Sequence, residues 1–132
     1  MRFAQMKKGQ SLVEFALLAT LLIPLVLGIF DFGRAYYTQV QIKNAVGDAG
    51  YYAIQNPGDD TGIKAVVVRQ LSYFNPSVQS SNITITRSCA SGTGKTQIKV
   101  SYQLSLLFSW LVPSMRVTLG DETSVPQIDA CS

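Results

Sequence analysis

The chain has 132 residues, 47% of them apolar and 14% charged, a length for one domain and a charged fraction well below the usual quarter. Its formal charge of +3 resides in the first residues: Arg2, Lys7 and Lys8 precede Gly9, and residues 10–132 carry eight basic against eight acidic side chains. A neutral body has no phosphate-binding footprint, which argues against a nucleic-acid partner, and the absence of histidine removes the commonest general base and metal ligand.

Met1 to Gly9 form a basic leader, and Glu14 stands between it and sixteen uncharged residues, Phe15 to Phe30. That run is about 24 Å long at helical rise, and Leu12, Val13 and Phe32 extend it enough to cross a hydrocarbon core of about 30 Å. It is too apolar all round for a surface helix of a soluble domain. The basic leader puts the N-terminus in the cytoplasm and the body outside. A charged group deep in a bilayer costs about 2.5–3.5 kcal/mol, which makes Glu14 a functional candidate; the alternative is a carboxylate that snorkels to the headgroup layer. A secretory signal peptide has the same basic-then-apolar order, but Ile29-Phe30 continues the run past Val26-Leu27-Gly28 and no A-x-A follows. Pro24 lacks an N–H, which predicts a kink or an unwound turn and leaves the Thr20 carbonyl to be satisfied by water, a neighbouring helix or the Thr20 hydroxyl.

Beyond the membrane, Phe32, Ala35, Gln39, Ile42, Ala45 or Val46, Ala49 and Ala53 fall on one stripe, so one helix is predicted from about Leu12 to Ile54. Asp31 and Arg34 are spaced to pair on it, and Gly47 and Gly50 permit close approach of another element. The turn-rich Asn56 to Gly62 ends the helix. A second helix fits Ile63 to Phe74, with Ile63, Val66, Val67, Leu71 and Phe74 on one face and Asn75-Pro76 as its stop; Val66-Val67-Val68 leaves a strand open as the alternative. Ser77 to Asn82 reads as a polar linker.

From Ile83 the period is two. Ile83, Ile85, Arg87 and Cys89, a turn at Ser91 to Gly94, and Ile98, Val100, Tyr102, Leu104 and Leu106 predict a hairpin with one buried face. A third strand from about Arg116 to Leu119, or a little longer, completes a small antiparallel sheet. The segment Leu106 to Pro113 is too short to span a bilayer; it is either the domain's own buried connection or an exposed interface around Phe108 and Trp110. The fold class is therefore α+β: a long N-terminal helix, membrane-spanning in its first half, and a second helix packed on an antiparallel sheet. Residues 1–9 are the leader, 10–32 the transmembrane helix and 33–132 the extracytoplasmic domain.

The body offers little chemistry. No GxxxxGK[ST] loop is present, and the glycines at 92 and 94 lack the strand-and-helix context of a phosphate site. Asp59-Asp60 and Asp121-Glu122 are acidic pairs of the kind found solvated in turns, so no metal, cofactor, small-molecule substrate or catalysis is expected. Asn82-Ile83-Thr84 matches the glycosylation sequon. Cys89 and Cys131, both in the exported part, either pair across about 43 residues, worth roughly 4 kcal/mol in the chain-entropy account, or remain two reduced thiols.

A basic leader ending in Gly9, an acid five residues later and an apolar helix resemble the class III signal of type IV pilins. More narrowly, Gly9-Gln10-Ser11-Leu12-Val13-Glu14-Phe15-Ala16-Leu17, Pro24, and Gly28-Ile29-Phe30-Asp31-Phe32-Gly33-Arg34-Ala35 resemble the TadE-like family of the tight adherence (Tad/Flp) pilus systems. The resemblance implies a pilin-like fold, cleavage by prepilin peptidase between Gly9 and Gln10, and a minor pilin, or pseudopilin, that supports assembly of an adherence fibre. Its partners would be the peptidase, other Tad/Flp pilins and the inner-membrane assembly platform. Glu14, fifth in the mature chain, would meet the freed amine of a neighbouring subunit, each charge offsetting part of the other's desolvation. Gln10 departs from the phenylalanine that opens many mature type IV pilins. The alternative functions are an uncleaved single-span scaffold in an envelope assembly or secretion complex, and a ligand-binding domain released by signal peptidase.

Overall fold

The computed structural model describes residues 4–90, 93–110 and 116–127. Helix α1 (Ala4–Gln55) is followed by α2 (Asp60–Gln70), and strands β1 (Ile83–Ala90), β2 (Thr93–Ser105) and β3 (Arg116–Gln127) form one antiparallel sheet in the order β1-β2-β3. Short 3₁₀ turns at Ser80–Asn82 and Leu107–Trp110 serve as connections. The α+β class predicted from the sequence is what the chain adopts, and both helices lie on the same, inward face of the sheet.

Helix α1 changes character along its length. From Gly9 to Phe30 nearly every side chain is exposed, whereas beyond it Thr38, Ile42, Ala45, Val46, Ala49 and Ala53 are buried. These positions recur at three- and four-residue steps, the spacing that brings one helical face against a sheet. Small residues keep the backbone close. A Cβ on Gly50 would lie 3.1 Å from Thr123 and 3.3 Å from Val125 of β3, whereas one on Gly47 would meet nothing, so only one of the two predicted close-approach glycines serves that purpose. Phe32, expected inside, is 75% exposed; the inward stripe starts one residue earlier, at Asp31.

Helix α2 begins at the Asp59 cap, whose carboxylate accepts from the Gly62 N–H at 2.9 Å. Ile63, Val67 and Leu71 are buried and Val66 partly so, in agreement with the predicted face, and the Val66-Val67-Val68 run is helical. The helix stops at Gln70, short of the expected Phe74, yet Phe74 still packs inward, its ring centroid 5.2 Å from that of Tyr102. The predicted linker hides one core residue, Val78, 2% exposed.

In β2, the central strand, Thr96, Ile98, Val100, Tyr102 and Leu104 are buried and alternate with exposed polar residues. Strand β3 runs eight residues beyond the predicted Leu119. Gly120, Asp121, Glu122 and Pro126 disguise it, and they are tolerable because β3 is an edge strand, where proline withholds no ladder hydrogen bond from a further partner. The Asp121-Glu122 pair therefore lies in a strand, not a turn, with Glu122 3.9 Å from Lys99 across the ladder.

Polar ties fasten the layers at their ends. Arg87 on β1 grips the Asp60 carboxylate at the start of α2 through two nitrogens, at 2.5 and 3.2 Å. Gln39 donates to the Gly120 carbonyl at 2.8 Å. Buried Gln127 accepts from Thr96 and donates to the Ala53 carbonyl, both at 2.6 Å, so the oxygen and the nitrogen of its amide each have a partner inside the core. Gln70 bonds Asp48, and Tyr73 donates to Gln41 at 3.0 Å, so α2 is tied to α1 as well as packed on it.

The two glycines of α1 separate propensity from packing. Gly47→Ala is expected to stabilise the full-length protein in detergent by about 0.5–1 kcal/mol, the helix-propensity gain at an exposed site. Gly50→Leu is expected to cost about 1–3 kcal/mol by overpacking against β3. Denaturant unfolding followed by circular dichroism reads both.

Candidate functional site

The first half of α1 projects from the domain as the one described helix long and apolar enough to cross a membrane, and its most apolar window has none of its residues buried. Leu12, Phe15 and Leu21 are each more than two-thirds exposed. Gly9 is helical, and a Cβ there would meet nothing within 4 Å, so the fold itself makes no demand for glycine at that position. One helical turn separates Gln10 from Glu14, and the Gln10 Nε2 donates to the Glu14 Oε1 at 3.2 Å. This i,i+4 contact gives the carboxylate a partner within its own chain. It was readable from the spacing but is absent from the resemblance-based expectation.

Pro24 does not unwind α1, which remains α-helical on both sides of it. The Thr20 hydroxyl donates one turn back to the Ala16 carbonyl at 2.7 Å, so it is not the group that serves Thr20's own carbonyl. Water or a neighbouring helix is left for that role.

At the other end of the apolar stretch, the predicted Asp31–Arg34 pair gives way to two longer-range bonds. Both Asp31 carboxylate oxygens accept from the Leu107 N–H, at 2.9 and 3.0 Å, and Arg34 donates from Nη2 to the Ser105 carbonyl at 3.3 Å. Asp31 is only 6% exposed. A 3₁₀ turn opening at Leu107 presents backbone N–H groups without partners of their own, and a carboxylate satisfies them better than an exposed helix-surface pair satisfies the acid. The membrane helix is thereby tied to the end of β2 at the point where it meets the domain.

The remaining sequence candidates lie apart from this region. Cys89 is exposed on β1 and disulfide-bonded, and Cys131 lies outside the described residues. The backbone of Phe108 and Trp110 belongs to the 3₁₀ turn, and their side chains lie outside the described residues. No cluster of three or more His, Cys, Asp or Glu side chains suited to a metal occurs among the described residues. Asp59, on the far side of the domain, is held below the ordinary carboxylate range by the Gly62 N–H and then by the Tyr52 hydroxyl, which donates at 2.8 Å; the same bond raises the Tyr52 phenol.

With this geometry in hand, the comparison with known families is direct: residues 9–50 match the family model described as TadE-like protein. That segment of the chain is TadE-like. The match runs from Gly9 through the membrane helix, Asp31 and Arg34 to Gly50, and α2 and the sheet lie beyond it. The likeness is to the long helix alone, and the one described helix apolar enough to cross a membrane fits a membrane-anchored protein. No curated protein and no solved structure matches the chain.

Two outcomes test the anchoring and capping carboxylates. Asp31→Ala leaves the Leu107 amide unpaired, and a loss of about 1–3 kcal/mol with faster hydrogen exchange at Leu107 is expected. The lowered pKa of Asp59 gives stability that is present above its ordinary pKa and lost as pH falls through its lower folded value. Acid titration of the wild type and Asp59→Asn, followed by circular dichroism, should show a larger loss of stability in the wild type than in the variant.

Proposed function

We propose that the chain is a minor pilin, or pseudopilin, which prepilin peptidase cleaves between Gly9 and Gln10 and which supports assembly of a Tad/Flp-type pilus used in adherence. The observation that carries this reading is the TadE-like match over residues 9–50, which begins at the glycine that ends the basic leader and includes Glu14 and the apolar helix. A glycine with open space around it, on a helix clear of the domain, is the substrate a membrane peptidase needs. Cleavage frees the Gln10 amine, and Glu14, now fifth in the chain, pairs with the amine of a neighbouring subunit. In low dielectric that ion pair is far stronger than the neutral-to-charged Gln10 contact it replaces.

In this reading residues 10–32 cross the inner membrane once, with the N-terminus cytoplasmic and residues 33–132 outside. The leucine-rich face of residues 12–27 packs against other pilin helices, where Pro24 exposes a carbonyl for a neighbour, and the assembly platform and other Tad/Flp pilins are the partners. Phe108 and Trp110 are an interface with them, and Cys89 bridges to Cys131 in the oxidising space outside the membrane. One observation favours a second reading, an uncleaved single-span scaffold of an envelope assembly or secretion complex: the Gln10 side chain already bonds Glu14 at 3.2 Å in the uncut chain, so the acid has a partner without processing.

Mass spectrometry of the protein co-expressed with its cognate peptidase separates the two. A mature chain starting at Gln10 is expected, and an intact Met1 start would instead support the scaffold. Glu14→Leu should be cleaved yet yield few or no assembled pili in sheared-fibre preparations; normal fibre yield would remove the carboxylate from assembly. Iodoacetamide applied without reductant should leave Cys89 and Cys131 unmodified in exported protein, with both labelled after reduction.

A further inference from the structure

We propose that the crevice between the start of the extracytoplasmic part of α1 and the Tyr73 and Tyr102 side chains binds the phosphate headgroup of a membrane phospholipid, with Arg34 as its anion-binding group. The proposal goes beyond pilus assembly and rests on the reading that residues 10–32 span the bilayer.

The first argument is depth. From Gln10 to Asp31 the helix rises about 32 Å, close to the hydrocarbon thickness of about 30 Å. Arg34 then stands about 4.5 Å and Tyr37 about 9 Å beyond Asp31, which brackets a headgroup layer some 5–8 Å deep. The second is the cavity itself, about 270 Å³, whose walls include Arg34, Tyr37, Thr38, Tyr73, Tyr102 and Leu104. The Arg34 guanidinium, with Tyr37 beside it, supplies donors for phosphate oxygens, while the aromatic rings and Leu104 suit the glycerol and first methylenes.

Charge points the same way. The nearest acid along the helix, Asp31, is buried and turned to the Leu107 amide, so it forms no ion pair with Arg34 and leaves the guanidinium open to an anion. Arg34 is exposed, and its bond to the Ser105 carbonyl employs Nη2, one of the nitrogens in a five-donor fork suited to phosphate. The Ser105 bond also orients that fork. Tyr37 and Tyr73, which line the crevice, are 56% and 59% exposed, and Phe32 and Tyr36 are exposed on neighbouring positions of α1. Aromatic side chains displayed at this height are what a membrane–water interface selects.

The test uses the full-length protein in dodecyl maltoside micelles, whose headgroups carry no phosphate, titrated with diheptanoyl phosphatidylglycerol and followed by amide NMR. Saturable shifts confined to the surroundings of Arg34, Tyr37, Tyr73 and Tyr102 are expected, with affinity about tenfold weaker in Arg34→Gln and an intermediate value in Arg34→Lys. Should Arg34→Gln lose its folded spectrum, Tyr37→Ala provides the weakened variant, since Tyr37 is exposed. Uniform shifts that do not saturate, or unchanged affinity in a folded variant, would overturn the proposal. Saturation by inorganic phosphate alone at the same concentrations would also overturn it, in favour of a soluble anion. Carbonate extraction of native membranes keeps the two readings apart: protein that washes out defeats the spanning helix, while protein that stays but ignores the lipid defeats only the headgroup site.

Discussion

The structure depends on one continuous helix meeting two different solvents. Through its first half α1 has no inward side; from Asp31 onward it has one, and there the hydrophobic effect takes over from membrane partition as the force that positions it. The sheet covers that inward side, with Gly50, Ala45, Ala49 and Ala53 allowing β3 and β2 to approach the helix backbone. The domain is thereby built directly onto the membrane helix, with no linker between them.

The handover is guarded by Asp31. A buried carboxylate near the end of an apolar run is costly unless it accepts hydrogen bonds, and the Leu107 amide supplies them at 2.9 and 3.0 Å. Arg34, one turn later, holds the end of the same strand through the Ser105 carbonyl. Together they align the sheet with the helix axis at the level where lipid gives way to water.

The N-terminal end has a different chemical logic. Glu14 is exposed on an apolar helix, and within the uncut chain Gln10 gives it a neutral donor. Cleavage after Gly9 would exchange that modest partner for a full positive charge on another subunit. In the proposed reading the same carboxylate would exchange a weak local contact for a stronger intermolecular one, and that difference would favour assembly.

Much of this was legible in one dimension. The apolar run, the three- and four-residue spacing of Ile42, Val46, Ala49 and Ala53, the face of α2 and the alternation of β2 each depend on neighbours a few residues away, so the sequence by itself determined the α+β class, the membrane candidate and most of the core. It also carried the Gly9-to-Glu14 pattern, which the TadE-like match supports. What it misjudged were residues whose roles depend on distant groups. Asp31 turns to Leu107 across 76 positions, Arg34 to Ser105 across 71, and Phe32 faces outward because Asp31 takes the inward place. Strand β3 was hidden by Gly120, Asp121, Glu122 and Pro126, residues that an edge strand accepts and a central one does not. Only the tertiary structure decided these points, because the energy of a buried acid, an edge strand or a cationic side chain is set by what surrounds it, and those surroundings come from parts of the chain that local pattern cannot reach.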